Sequence, residues 1–238
     1  MSAAAGHPQP RVVVFDVNET LSDLAPMQQR FADVGAPEHL APTWFASVLR
    51  DGMALSTVGE QAGFADIGGA VLDTLLPGFL TGEQREEAVA HVLEGFGSLA
   101  VHEDVPDGLR ALRERGLRLV TLSNGAAWVA QGLLERAGVA DLVEQTLSVA
   151  DAGIWKPAAA AYAHAVRATG EPVERHLLVA VHPWDLHGAQ RAGLSAAWVE
   201  RTGTAPYPGH FLPAQVRATG LVDLAERLDA WADAPASS

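Results

Sequence analysis

Four short segments carry residue types that could do chemistry together. Asp16 opens Asp16-Val17-Asn18-Glu19-Thr20, directly after the run RVVVF. A carboxylate at the end of a buried strand can attack carbon or phosphorus and form a covalent intermediate. Ser123-Asn124-Gly125 follows the run LRLVTL and offers a hydroxyl, an amide and backbone N–H groups to an anion. Lys156-Pro157 stands just before a helix pattern. That end of a helix is already positive, so a lysine there gains from a carboxylate partner such as Asp16. His182-Pro183-Trp184-Asp185 follows LLVAV and joins a candidate base to a candidate support. Taken singly, each segment also fits an ordinary turn or helix cap.

The elements that must position these residues alternate. Short apolar runs at 11–15, 117–122, 143–149, 177–181 and 195–199 suit strands buried on both faces of a parallel sheet. Helical spacing of apolar residues falls between them, at 107–114, 127–137, 157–169 and 185–192, with Gly116, Gly138, Gly170 and Gly193 as stops. Strand and helix in alternation predict an α/β fold, a doubly wound parallel sheet of Rossmann type. Such sheets bind ligands just beyond their strand ends. From about 23 to 101 the rhythm breaks. Four helix-like stretches, 26–34, 37–53, 59–76 and 83–96, follow the first strand and read as a helical cap. The expected division is a core of 11–22 and 102–232, a cap of 23–101, and flexible ends at 1–10 and 233–238.

Composition narrows the partners. The 238 residues carry 16 Lys+Arg against 29 Asp+Glu, a formal net charge of −13. That is a poor endowment for binding nucleic acid or an anionic membrane surface. An anionic substrate would need positive potential supplied locally. The chain has no cysteine, which excludes disulfides, thiolate nucleophiles and Cys-based zinc sites and fits a cytoplasmic location. No apolar run approaches the ~20 residues of a membrane span, and the first residues lack the apolar core of a secretory signal. Histidine spacing offers no metal site, so no cofactor is expected.

The order Asp16, Ser123, Lys156, Asp185 resembles the haloacid dehalogenase superfamily over roughly 12–201, nearly the whole chain. A helical cap after the first strand is one of that superfamily's arrangements. Two features turn the resemblance away from its phosphatases. Asn18 stands where those enzymes usually carry an acidic proton donor, and His182-Pro183 precedes Asp185 where they hold magnesium with further carboxylates. Ser123-Asn124-Gly125, Lys156-Pro157 with Tyr162, and Trp184-Asp185 resemble the 2-haloacid dehalogenase branch. That resemblance implies metal-free hydrolysis of a short 2-haloacid, the L-enantiomer, through an ester on Asp16. It implies a small-molecule substrate and allows a homodimer. A magnesium-dependent phosphatase and a catalytically silent binding module are the alternatives.

The resemblance also distributes roles. Lys156 would keep Asp16 ionised. Thr20, Ser123, Asn124, Asn18, Tyr162 and Trp184 would surround the substrate, and Trp44 and Phe45 would shape the halide side. Three departures stand out. Phe45 follows Trp44 where an arginine is usual, His182 replaces an asparagine, and Asn18-Glu19 replaces Tyr-Gly. The last two changes look coupled: Glu19 would orient His182, and His182 would take a proton from water, with Asp185 as rival base or support. Trp128 reads as core or as part of the cleft wall.

Overall fold

The computed structural model describes residues 8–80, 82–202 and 204–232. Its centre is a six-stranded, wholly parallel sheet in the order β3-β2-β1-β4-β5-β6. The strands are β1 (Val12–Phe15), β2 (Arg118–Ser123), β3 (Gln145–Ser148), β4 (His176–Ala180), β5 (Ser195–Val199) and β6 (Val216–Ala218). Every residue of β1 is buried. Successive side chains point to opposite faces, so both faces of VVVF must be covered. Val13 and Phe15 belong to one buried cluster, with Leu109, Leu133 and Leu224; Val12 and Val14 belong to the opposite one, with Ala161, Ala165 and Leu186.

Helices cover both faces accordingly. On the first are α5 (Val105–Glu114), α6 (Ala127–Arg136) and α10 (Leu221–Ala232). On the second are α8 (Ala159–Thr169) and α9 (Pro183–Arg191). The single-turn α7 (Val149–Ala152) follows β3. Helix α8 ends at Gly170, whose φ of 72° lets its N–H turn back to Val166 O.

Four helices intervene between β1 and α5: α1 (Met27–Asp33), α2 (Leu40–Thr57), α3 (Phe64–Leu75) and α4 (Gly82–Gly97). They pack around an aromatic cluster in which Phe64 and Phe96 stack at 4.8 Å and the Trp44 ring stands nearly perpendicular to both. Trp155 joins them to the sheet. Its ring stacks on Phe64 at 6.1 Å, and its indole N–H donates to Ala62 O.

The expected strands all form, each within two residues of the expected bounds. Two elements lie outside the expectation. Strand β6 is three residues long, too short for periodicity to reveal, and α10 is a further twelve-residue helix beyond the expected ones. Helix α3 starts at Phe64 rather than 59, because Gly59 has φ of 78° and residues 60–63 run on without helix. Of the ends expected to be flexible, residues 1–7 and 233–238 lie outside the described residues. Among the described residues no helix is long and apolar enough to cross a membrane.

Strand order fixes the place for a site. The chain runs outward from β1 through β2 to β3, then returns to β4 on the other side of β1. The carboxyl ends at that reversal form the crevice where such folds bind ligands. Asp16 follows β1 there, with its N–H donating to Val179 O at 3.0 Å. His182 follows β4, and Ser123 closes β2.

Candidate active site

Asp16 is nearly buried, with both carboxylate oxygens engaged. Oδ1 accepts from Lys156 Nζ at 2.7 Å. Oδ2 accepts from Thr20 Oγ1 at 2.7 Å and faces His182 Nδ1 at 3.0 Å. Burial alone would raise its pKa, but the Lys156 charge and the His182 hydrogen bond outweigh burial and hold it well below the usual carboxylate range. Asp16 is therefore ionised at neutral pH.

Lys156 is fully buried between two carboxylates, 2.7 Å from Asp16 and 2.7 Å from Asp185. Burial disfavours its charge, yet the two anions more than compensate and raise its pKa. Its backbone N–H donates to Asn124 Oδ1 at 3.0 Å, so Asn124 ties the lysine segment to the end of β2. Asp185 has the opposite bias from Asp16. Burial and the neighbouring Asp16 charge push its pKa up, against the pull of Lys156. Tyr162 donates to Asp185 Oδ1 at 2.6 Å and fixes it from behind.

That contact is tightly packed. A Cβ built on Gly188 would lie 2.6 Å from the Tyr162 hydroxyl and 2.6 Å from Pro157 Cβ. Gly188→Ala is expected to cost about 1–3 kcal/mol by overpacking, read as a lowered urea midpoint, and to lower turnover through displaced Tyr162.

His182 has a carboxylate at each ring nitrogen: Asp16 at Nδ1 and Glu19 Oε2 at Nε2, 2.8 Å away. Phe45 lies 6.3 Å from the ring and Trp184 5.2 Å. Burial lowers the pKa, but the bonds to Asp16 and Glu19 win and raise it to about 9. In the free protein the ring is an imidazolium donating from both nitrogens. The stability consequence has a definite sign. The folded pKa of about 9 exceeds the reference 6.5, so the stabilisation is complete below about 6.5 and fades as pH rises through 9. A loss on the order of 3 kcal/mol follows from that gap. Urea unfolding at pH 6 and pH 10 should show it in the wild type and show a flatter response in His182→Asn.

Glu19 is aimed by its turn. It is the sole non-glycine residue with positive φ among the described residues, at 61°, a conformation such residues rarely adopt. The turn is held from outside: His102 Nε2 lies 3.0 Å from Glu19 O, and Arg201 donates to Thr20 O at 2.6 Å while pairing with Asp104. Sequence reasoning missed both residues. Arg201 could have been found, because it stands two residues beyond β5, where ligand-side residues of this fold lie. His102 had no such signal.

Two cavities border these residues. The smaller, about 240 Å³, is lined by Asn18, Ser123, Asn124, Phe64, Phe96 and Trp155. Asn124 Nδ2 is buried without a partner. Among the described residues no charged side chain lines it. The larger, about 580 Å³, has Glu19, His182, Phe45, Trp198 and Arg201 in its walls. Asp16 itself lines neither cavity; its chain neighbours Val17 and Asn18 border the smaller, and its partner His182 borders the larger.

The structure brings together most of the expected residues and corrects four placements. Thr20 is fully buried, lines neither cavity and donates to Asp16. Tyr162 is behind Asp185 and lines neither cavity. Trp184 also lines neither, packing beside His182. Trp44 is fully buried and its indole N–H is spent on Gly68 O at 3.0 Å; its ring borders only the larger cavity. Of the two readings of Trp128, the cleft one holds: it lines the rim of the smaller cavity and, at 74% exposed, is not core. The Asp185 carboxylate bonds to neither the His182 ring nor Glu19; it supports Lys156. The expected His182–Glu19 pair is present.

A parallel α/β sheet presenting an ionised aspartate, a buried lysine and a second aspartate at its carboxyl edge defines a site built for a carboxylate nucleophile. A family model for haloacid dehalogenase-like hydrolases matches residues 10–193. The chain belongs to that family. A haloacetate dehalogenase of Moraxella sp. (strain B) is 35% identical over 120 residues, 50% of this chain and 54% of that protein. An (S)-2-haloacid dehalogenase of Pseudomonas sp. (strain YL) is 37% identical over 110 residues, 46% of this chain and 47% of that one. The chain thus spans about half the length of these two curated relatives. A third relative, (S)-2-haloacid dehalogenase 1 of Pseudomonas sp. (strain CBS-3), is 26% identical over 92% of this chain and 96% of its own. Among solved structures, an L-2-haloacid dehalogenase at 29% identity superposes with a TM-score of 0.85, covering 93% of this chain and 100% of that one.

Proposed function

We propose that the protein hydrolyses the carbon–halogen bond of short 2-haloacids, of the L-configuration, to 2-hydroxyacids. The observation that carries this reading is the Asp16 carboxylate, ionised and held between Lys156 and His182 beside a cavity of uncharged donors. The names of the relatives support it. One Asp16 oxygen attacks the α-carbon, and the halide leaves with the bonding pair. Water then attacks the carbonyl carbon of the ester, Asp16 is regenerated and the hydroxyacid is released. A halide needs no proton to leave, so the amide of Asn18 suffices where an acid would otherwise be required.

The remaining residues take roles around that step. Thr20 and Lys156 orient Asp16. The Asn124 amide, Ser123 and the backbone N–H groups at the start of α6 supply donors for the substrate carboxylate, replacing a charged clamp. Asp185 and Tyr162 keep Lys156 in place. His182, oriented by Glu19, accepts the proton of the attacking water. Helices α1–α4 act as a cap, and Phe45 lies on the halide side. The net charge and the absence of cysteine favour a cytoplasmic setting without nucleic-acid or membrane partners.

Family members that act on phosphate esters use magnesium, but the donor set here does not fit it. Lys156 Nζ already occupies the space between Asp16 and Asp185, and among the described residues no cluster of three acidic or histidine side chains could hold a metal.

The test is halide release from L- and D-2-chloropropionate and bromoacetate, with and without excess chelator. Halide and hydroxyacid in equal amounts, unchanged by chelator and favouring the L-form, is the expected result. Magnesium-dependent phosphate release with no halide would overturn it. In His182→Ala the second step should slow roughly 10²–10⁴-fold. The alkylated protein would then accumulate, visible as added mass on the peptide containing Asp16.

A further inference from the structure

The site as it stands cannot begin hydrolysis. His182 has no free lone pair while Asp16 and Glu19 both hold its N–H groups, so the residue assigned as base is blocked in the free protein. The two partners differ in what the first chemical step does to them. Glu19 is untouched by alkylation. Asp16 loses its charge, because an ester replaces the carboxylate.

We propose that esterification of Asp16 itself unmasks the base: the His182 Nδ1 proton leaves to solvent in step with halide departure, and the freed Nδ1 then accepts the proton of the hydrolytic water. This rests on the dehalogenase reading and adds the timing of its proton. Geometry selects the nitrogen. Glu19 retains Nε2–H at 2.8 Å and so fixes that tautomer. The nitrogen left bare is the one facing the ester, 3.0 Å from Asp16 Oδ2 before reaction.

The bookkeeping closes. In the first step the carboxylate and the haloacid give ester and halide, while the imidazolium gives imidazole and one solvent proton. In the second, ester, water and imidazole give carboxylate, hydroxyacid and imidazolium. The sum is one haloacid and one water to one hydroxyacid, one halide and one proton.

The surroundings of the ring permit the switch. Phe45 from α2 and Trp184 from α9 are uncharged. Lys156 reaches the ring only through Asp16, and its charge remains balanced by Asp185. Across the larger cavity, Arg201 is paired with Asp104 and His102 is engaged by Glu19 O. Asp23 and Glu200 also border that cavity. With Asp16 neutral, burial works against the imidazolium and Glu19 alone favours it. Glu19 is 43% exposed, so its pull is screened.

Two measurements test this. The first needs no haloacid: Asp16→Asn puts a neutral group of the ester's shape beside His182. Titration of ¹⁵N-labelled histidines by NMR, assigned with His182→Asn, should show His182 losing its proton at least about two pH units lower in Asp16→Asn than in the wild type, below the pH 7.5 of the turnover experiment. An unchanged titration would overturn the proposal. The second is a single turnover with protein in excess over 2-bromopropionate, in weak buffer with a pH indicator at pH 7.5. About one proton per site should appear with bromide and none with the hydroxyacid. A proton that appears only with the hydroxyacid, bromide preceding it, would contradict the proposal. Absence of any bromide would defeat the dehalogenase reading instead, and the NMR titration would then decide this one alone.

Discussion

Asp16→Asn is expected to abolish halide release, lowering turnover by at least about 10⁴-fold, the scale seen when a covalent nucleophile is removed. The amide nitrogen has no available lone pair, and the amide oxygen has lost the charge that drives displacement. Substrate can still enter, because Ser123, Asn124 and the start of α6 are unaltered. Lys156 keeps Asp185 as partner, so the fold retains one buried ion pair out of the two that meet at Lys156. The expected picture is a folded protein with normal near-UV dichroism, no bromide release, and no added mass on the peptide containing residue 16. Residual bromide release above about one part in 10³ would mean that another group attacks the α-carbon.

Lys156→Met should produce the largest loss of stability in the site. It removes the cation and leaves Asp16 and Asp185 buried together. Stripping one partner from a buried ion pair costs about 3–5 kcal/mol, because the other charge stays desolvated. Part of that cost is relieved by protonation, and Asp185, whose pKa is already raised, is the group placed to accept it. This reverses the pH dependence at the site. In the wild type Asp16 has a depressed pKa, so its contribution is present above the ordinary carboxylate value and is lost as pH falls through the folded value. In Lys156→Met the carboxylates have raised values, so their penalty is absent in acid and grows as pH rises. The variant should therefore be closest to wild type near pH 4.5 and weakest near pH 8, by urea unfolding. Halide release should fall with it, since a partly protonated Asp16 is a poor nucleophile. Equal destabilisation at both pH values would contradict the ion-pair account.

Much of this site was legible because parallel strands deliver their ends to one edge. Asp16, Ser123 and His182 each follow an apolar run, and the shared edge makes neighbours of residues more than a hundred positions apart. The sheet order supplies that, and alternating strand and helix patterns point to it. Lys156 was legible for another reason: a cation at a helix start is unfavourable unless something anionic needs it.

What stayed hidden depends on which atom meets which. Asn124 reads as an anion donor, yet its oxygen is committed to the Lys156 backbone and only its amide nitrogen is left over. Tyr162 sits one helical layer behind the edge, so its hydroxyl serves Asp185 and never reaches the cavity. Trp128 has the spacing of a core residue, but α6 turns it to solvent. The Glu19–His182 pair was expected as a base and its support. Its charge state was not visible in sequence, because it depends on a second carboxylate, Asp16, at the other ring nitrogen. Strand β6 was hidden because three residues carry too little periodicity; α10 was not hidden, since Leu221, Leu224, Ala225 and Leu228 fall at helical spacing.

The proposed reaction turns on an ester formed at Asp16. The most direct measurement is a single turnover in H₂¹⁸O, with protein in excess over L-2-chloropropionate, followed by mass analysis of both product and peptide. If Asp16 is the nucleophile, the lactate keeps an ordinary oxygen taken from the protein, and the peptide containing Asp16 gains about 2 Da from water. Label found in the lactate, with the Asp16 peptide unchanged, would mean that water attacks the substrate directly and would contradict the account.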